Sequence, residues 1–469
     1  MSSQAIIIGG GIAGLTAALK MAQSGRWRPL VLEKETVAGG LARSLDVHGL
    51  TSDLGPHRIH TEIPEVSKFI DEVAQPSIMW VRRRSRIYLR GKYLPYPPDP
   101  MAMSLHLGPL RMAGFMASFM ADKARGAGRE DSYDSLMRGA FGKSLYEFLL
   151  RPYSAKTWKI DPAELHADTA RVRISVGNLS RMIKGLLTRE KKGSETALKE
   201  FRYVRGGART LVRHLLEHAE AAGARFEAGR EVGGLELDGH RVRAAVCGDQ
   251  RTEGDLFLST APLPILIENL LPPLPMLDEA RRAAHGLEYI NMIFVFLIVD
   301  RPRISDDNWL YFPEKHLVFN RGYEAKNFDA SLGPEDKSIL CLEITTRTGD
   351  ALSKTSDDDI AAEAIEQIVS TGLIEKKDIA ARAVQRIDDA YPLYKLDYRR
   401  RLAAALAGVR QIPNLITLGR QGLFNHNNMD HSIWMGMKAA EALAAADAET
   451  AQRNWYDGVE RFKTMRIVD

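Results

Sequence analysis

The segment AIIIGGGIAGLTAALKMAQSG, residues 5–25, constrains the fold more than any other stretch of the chain. Its opening reads as a short buried strand, its glycines as a turn, and Leu15, Ala18, Leu19 and Ala22 as one face of a helix. A second apolar strand, PLVLEKE, then completes a βαβ unit of about 30 residues. Gly9, Gly11 and Gly14 stand in the G-x-G-x-x-G spacing at the strand-to-helix turn, and Glu33 ends the next strand. That order is expected of a dinucleotide site. Gly9 permits the tight turn, Gly11 lets the backbone approach a pyrophosphate, and Gly14 lets the helix close onto the sheet. The helix start at Ile12 and Ala13 offers N–H groups and a partial positive charge to phosphates. Glu33 is placed to accept hydrogen bonds from ribose hydroxyls and would repel a 2′-phosphate.

Composition narrows the remaining classes. With 469 residues, 45% hydrophobic and 26% charged, the chain has ample material for a large core and is neither disordered nor fibrous. Sixty-four basic against 60 acidic residues give a net charge of +4, too even a balance to argue for nucleic acid as a partner. Cys247 and Cys341 stand far apart without metal spacing, which fits a reducing cytoplasm. The N-terminus shows no signal-peptide pattern, and no segment has the uninterrupted apolar length of a spanning helix.

After Glu33 and Lys34 comes a second glycine turn, Gly39-Gly40-Leu41-Ala42-Arg43, which would bring backbone amides and a guanidinium to the pyrophosphate of a longer cofactor. The glycine fingerprint, the acidic strand end and the Gly-Gly-x-x-Arg turn together resemble the flavin monooxygenase-to-amine-oxidase class of FAD flavoproteins. Two later stretches extend the resemblance across almost the whole chain. GGARTLVRHLLEHAEAAGARFEAGREVGGLEL is similar to the second FAD segment of that class, in which the residue matching Val232 meets adenine. LITLGRQGLFNHNNMDHSI is similar to its C-terminal segment, which implies that Gly419 and Arg420 pass near the phosphates or ribityl chain. It also implies that Asn428, Met429 and Ser432 lie at the flavin. Gly55, Pro56 and His57 complete the implied cofactor set. FAD is expected, bound non-covalently, because the C-terminal segment has no cysteine.

The fold expected from this is α/β, with a Rossmann-like FAD-binding domain and an inserted α+β substrate domain containing helices and a mixed or antiparallel sheet. The chain divides as FAD-binding domain 1–75, substrate domain 76–199, FAD-binding domain 200–285, substrate domain 286–400, and FAD-binding domain 401–469. Asp238-Gly239 reads as a hairpin turn, and DDDIAAEAIEQIVSTGLI as a helix beginning at acidic capping residues. Residues 108–125, GPLRMAGFMASFMADKAR, read as a helix starting at Pro109. Two placements are open for it: over the substrate cavity or in a core, or on the surface with contact to a membrane leaflet.

GPHRIHT, residues 55–61, resembles a stretch of UDP-galactopyranose mutases, as does LYEFLLRPYSAKTWKIDPAELHADTARVRI. VFNRGYEAKNFD and KSILCLEITT instead resemble protoporphyrinogen-oxidase-like and desaturase-like FAD proteins. The expected activity is FAD-dependent oxidation or desaturation of a small anionic or glycosylated substrate, with hydride passing to flavin N5. The alternatives are a mutase-type isomerisation on reduced FAD without net redox, and a binding protein that flavin merely stabilises. His57, His60 and Tyr391 are the candidate acid/base groups, with His431 beside them. A His-x-x-His metal pair at 57 and 60 lacks further ligands, so no metal is expected. Arg84, Arg151, Tyr153, Lys156, Trp158 and Arg321 are the candidate substrate contacts, within a basic series that includes Arg171 and Arg173. Guanidinium groups among aromatics suit a phosphate or carboxylate, such as a nucleotide sugar or polyprenyl-phosphate sugar. A cytoplasmic location, or one peripheral to the inner face of a membrane, follows from these readings.

Overall fold

The computed structural model describes residues 3–97, 100–124, 131–172, 199–463 and 465–467. Arg173 lies outside them. A five-stranded parallel sheet runs Leu415–Thr417, Leu256–Ser259, Ser3–Ile8, Trp27–Leu32, Arg225–Glu227 in spatial order, so it draws strands from three separate parts of the chain. Residues Ala5–Ile8 of the first strand and all of strand Leu256–Ser259 are buried, as parallel strands covered on both faces must be. Helix Met429–Ala445 crosses helix Ile12–Gln23 so closely that a Cβ on Gly436 would lie 2.6 Å from the Ala13 carbonyl oxygen. Glycine is required there by the approach of two backbones.

A seven-stranded sheet makes the second layer, in the order Ile379–Pro392, Tyr289–Val299, Ser338–Thr346, Arg321–Glu324, Trp309–Tyr311, Ser85–Leu89, Lys92–Pro95. It is antiparallel except where Trp309–Tyr311 runs parallel to Ser85–Leu89. Its central strand, YINMIFVFLIV, is buried along its whole length. Alternation sends Met292, Phe294, Phe296 and Ile298 to one face, where they pack with Leu50, Leu54 and Phe201. Ile293, Val295, Leu297 and Val299 go to the other, against Ile360, Ala364 and Ile368 of helix Asp357–Ser370. That helix starts one residue earlier than its acidic run suggests. Ser356 is the cap, its side chain accepting the Asp359 N–H, while the aspartates fill the first turn and favour the positive end of the helix. Likewise the hairpin pairs Asp238 with Arg241, so the two-residue loop is Gly239-His240, with Gly239 supplying the positive φ of 60°.

Helix Pro109–Ala124 has no buried residue, so it does not pack within a core. Its inner side rests on the body through Phe115, whose ring lies 5.4 Å from Phe148. Among the described residues, no helix is long and apolar enough to cross a membrane.

Two glycines separate close packing from helix propensity. Gly436→Ala should destabilise the protein by about 1–3 kcal/mol, because the added methyl must push apart two packed helices. Gly139→Ala, on helix Tyr133–Phe141 with open space around it, should be neutral or stabilise by up to about 1 kcal/mol. Urea midpoints of the two variants check both expectations.

Candidate functional site

The carboxyl ends of the parallel strands point to one edge, and the glycine turn, Glu33, Thr260 and Gly419 gather there. Gly9 has φ of 99°, and a Cβ on it would lie 2.1 Å from Thr260 Oγ1. On Gly14 it would lie 2.2 Å from the Gly9 carbonyl oxygen. Helix Ile12–Gln23 starts after Gly11 without a side-chain cap, leaving its first amides for a ligand. Glu33 is buried beside this start, and its carboxylate accepts the Gly10 N–H at 2.7 Å and the Glu35 N–H at 2.9 Å.

The second glycine turn closes against the first. Gly39 N–H donates to the Gly10 carbonyl at 2.8 Å, and a Cβ on Gly11 would lie 3.9 Å from Gly40 Cα. Arg43 donates through Nε to the Gly40 carbonyl at 3.0 Å and pairs with Glu35 at 2.9 Å. Lys34 is exposed at the strand end, and Leu41 and Ala42 form the short turn into Arg43. Val232 is buried in the same core as Val212, which touches Gly39. Gly419 lies against Ala13, 3.2 Å from its Cβ when measured from a Cβ built on the glycine. Uncapped helix amides, two apposed glycine turns and a buried carboxylate fit an extended dinucleotide such as FAD.

Gly55, with φ of 86°, and Pro56 turn the chain into His57. His57 Nδ1 is buried without a hydrogen-bond partner, 3.9 Å from Asp53 Oδ2. Asp53 is held by Ser44 at 2.5 Å, Tyr203 at 2.7 Å and the Ala208 N–H at 3.0 Å. Burial lowers the His57 pKa from its usual 6.5; Asp53 opposes the shift, while Arg420 and Arg321 add to it. The imidazole is therefore neutral near pH 7 and able to accept a proton.

Arg321 faces this loop from the seven-stranded sheet. It forms a two-pronged pair with Glu343 on the neighbouring strand, at 2.7 Å through Nε and 2.6 Å through Nη2. The other oxygen of Glu343 is buried without a partner, and a Cβ on Gly55 would lie 3.8 Å from it. Burial disfavours the charge of Arg321, but Glu343, with Tyr391, Tyr311 and Tyr153, more than restores it. Tyr391 carries Arg420 over its ring at 5.0 Å and stacks on His426 at 5.1 Å, and His426 in turn lies 5.6 Å from Trp158. Arg420 also donates to the Asn427 carbonyl at 2.6 Å. A charged guanidinium, a neutral histidine and a wall of aromatics thus converge between the two sheets.

The C-terminal candidates stand behind Arg420, and the cationic candidates of the other segments are held by partners of their own. His60 and His431 line a cavity of about 270 Å³ with Asp430, Glu62, Arg461 and Arg466. Burial lowers the pKa of both histidines and raises that of Asp430. Asn428 caps helix Met429–Ala445 and donates its N–H to His431 Nδ1 at 3.4 Å, while Ser432 donates to the Asn427 side chain at 3.4 Å. Arg84 pairs with Asp306 at the surface, and Arg151 pairs with Asp161 at 2.6 Å and Asp134 at 3.5 Å. Lys156 turns its amine onto the Phe312 and Glu314 carbonyls at 2.7 and 2.9 Å. Burial pushes that amine down to about 7, with Lys159 adding and Glu314 opposing. Among the described residues, no cluster of His, Cys, Asp and Glu could hold a metal ion.

Sequence reasoning missed Asp53 and Glu343. Asp53 stands four residues before His57, a spacing that could have marked it. Glu343 had no local signal, because cross-strand register alone brings it to Arg321.

The family model described as flavin containing amine oxidoreductase matches residues 12–387. A phytoene dehydrogenase from Streptomyces griseus is 25% identical over 55% of this chain and 54% of its own. A zeta-carotene-forming phytoene desaturase from Myxococcus xanthus is 25% identical over 75% of this chain and 70% of its own. This chain therefore spans about half the length of the Streptomyces relative. A crystal structure of reduced UDP-galactopyranose mutase superposes with a TM-score of 0.83 over 99% of this chain and 98% of the other, at 22% identity. At that identity the likeness is one of fold.

Glu33→Ala removes the buried acceptor that holds the glycine turn of the candidate nucleotide site. Titration of apoprotein with FAD should show affinity reduced about tenfold or more, as for loss of a charge-assisted hydrogen bond. Unchanged affinity would remove Glu33 from the cofactor site.

Proposed function

Because the chain belongs to the flavin containing amine oxidoreductase family, we propose that it is an FAD-dependent oxidoreductase that oxidises or desaturates a small anionic or glycosylated substrate. The observation that carries this reading is the convergence of Arg321, Tyr391 and His57 at the interface of the two sheets. The bound flavin would supply a two-electron hydride acceptor at N5.

Arg321 orients the substrate by its negative group. Glu343 fixes the guanidinium plane, so that the remaining donors present a rigid fork to a phosphate or carboxylate. Tyr391 and Trp158 give the sugar or apolar part flat faces, joined through His426. His57 Nδ1 or Nε2 accepts the hydroxyl or amine proton released as the C–H bond is broken, and Asp53 stabilises the resulting imidazolium. The cofactor is held without a covalent link. Both cysteines are buried, and Cys341 lies inside strand Ser338–Thr346. A nucleotide sugar or polyprenyl-phosphate sugar meets these demands.

A second reading, rearrangement of a glycosyl nucleotide on reduced flavin without net redox, is supported by the extent of the fold likeness and by the mutase-like GPHRIHT loop. Anaerobic mixing separates the readings. Substrate added to oxidised enzyme bleaches the flavin in the oxidoreductase. Product appears only after prior reduction in the mutase, and neither occurs in a binding protein. If no member of a panel of sugar nucleotides and lipid-linked sugars bleaches the flavin, the oxidoreductase reading fails for that substrate class.

Two further outcomes are expected. His57→Ala should keep its flavin while flavin reduction slows about 100-fold, the scale of general-base loss. In the wild type, protonation of His57 should slow reduction only below pH 6.5, and that acid limb should vanish in the variant. Glu343→Gln should raise KM for an anionic substrate more than it lowers kcat, because it loosens the guanidinium that positions the charge. Steady-state kinetics at several pH values check both.

A further inference from the structure

Helices Pro100–Leu107 and Pro109–Ala124 both expose large apolar side chains to solvent. Leu110 is 89% exposed, Leu105 84%, Met101 67% and Met120 65%. Such exposure of large aliphatic side chains is unusual on a soluble surface and marks a contact site. On the longer helix, Leu110, Ala113, Ala117 and Met120 fall on one side at 100° per residue, with no charged residue among them. Of its charged residues, Lys123 lies on a flank, while Arg111 and Asp122 fall toward the side of Phe115.

The opposite side is fixed to the body. Phe115 packs on Phe148, and Gly142 approaches Phe119 so closely that a Cβ there would lie 2.7 Å from Phe119 Cα. His106 Nε2 hydrogen-bonds the Leu89 carbonyl at 2.8 Å, tying the shorter helix to the hairpin that carries Arg90 and Lys92. The guanidinium groups of Arg90 and Arg111 both lie over Phe148, at 5.2 and 5.3 Å from its centroid. Arg90, Lys92, Arg111, Lys123 and Lys143, on these helices and the segments packed against them, are all exposed. The Asp122 carboxylate is turned inward onto the Lys143 N–H at 2.7 Å.

We infer that this face docks the protein onto the surface of an anionic lipid bilayer, with the apolar side chains entering the headgroup–acyl boundary and the basic rim meeting lipid phosphates. Charge decides between occupants. A second copy would set two basic rims against each other around the apolar centre, whereas an anionic bilayer complements both parts of the surface. Each helix lies along the interface; the longer, 16 residues, would extend about 24 Å in that plane. The inference does not depend on the flavin reaction and is tested without turnover.

The test floats the flavin-loaded full chain with vesicles of phosphatidylcholine alone and of phosphatidylcholine mixed equally with phosphatidylglycerol. Wild type should float with the anionic vesicles and much less with the neutral ones, and high salt should release it. The double variant Leu110→Asp, Met120→Asp should reduce vesicle-bound protein about tenfold or more, with unchanged circular dichroism and flavin content. Arg111→Glu with Lys123→Glu should weaken binding at low salt. Absence of wild-type flotation, or equal flotation of wild type and the Asp variant, overturns the inference. A wild-type dimer that binds no vesicles and falls to monomer in the Asp variant would assign the face to a second copy instead.

Discussion

The Gly10 N–H donates to the buried carboxylate of Glu33, and the geometry of the proposed nucleotide edge depends on that bond. It spans two neighbouring parallel strands at their carboxyl ends. A charged acceptor shielded from water makes it stronger than an ordinary backbone hydrogen bond. With the turn held, the first helix begins without a cap, and the second glycine turn can close against it through Gly39 and Gly10. The C-terminal helix then lies on the first at Gly436. Segments far apart in the chain thereby share one proposed cofactor edge.

The second sheet provides what this edge lacks. Its core strand is apolar on both faces, so its charged residues can sit in the interior only when partnered. Arg321 and Glu343 pair across adjacent strands and remain half-satisfied, with one Glu343 oxygen open toward Gly55. Breaking such a pair costs more than making it gains, so its position at the interface argues for a role in recognition rather than in stability. His57 approaches from the other side on a loop whose bend Gly55 permits and whose register Asp53 sets through Tyr203 and Ala208.

The chain shows clearly what a sequence reveals and where it stops. The βαβ turn was legible because glycine spacing and an acidic strand end are local signals with a single physical meaning. The all-buried strand Tyr289–Val299 was legible as a sheet element because its β-branched and aromatic residues leave little alternative. The cap of helix Asp357–Ser370 was misjudged by one residue, since Asp and Ser can both cap and only geometry chooses. Arg84, Arg151 and Lys156 were readable as cations, but their surface carboxylates and backbone acceptors were not. Residues 109–124 are rich in apolar side chains, a composition shared by core helices and by surface helices; burial distinguishes them.

The central claim is that Arg321, Tyr391 and His57 form the substrate wall of a flavin site. A crystal structure of the protein with FAD and a diphosphate-bearing ligand tests it most directly. The account predicts the diphosphate on the Arg321 guanidinium, the flavin ring beside the His57 loop, and the nucleotide end on Glu33. A ligand bound elsewhere, with the flavin ring turned away from His57 and Tyr391, would contradict it.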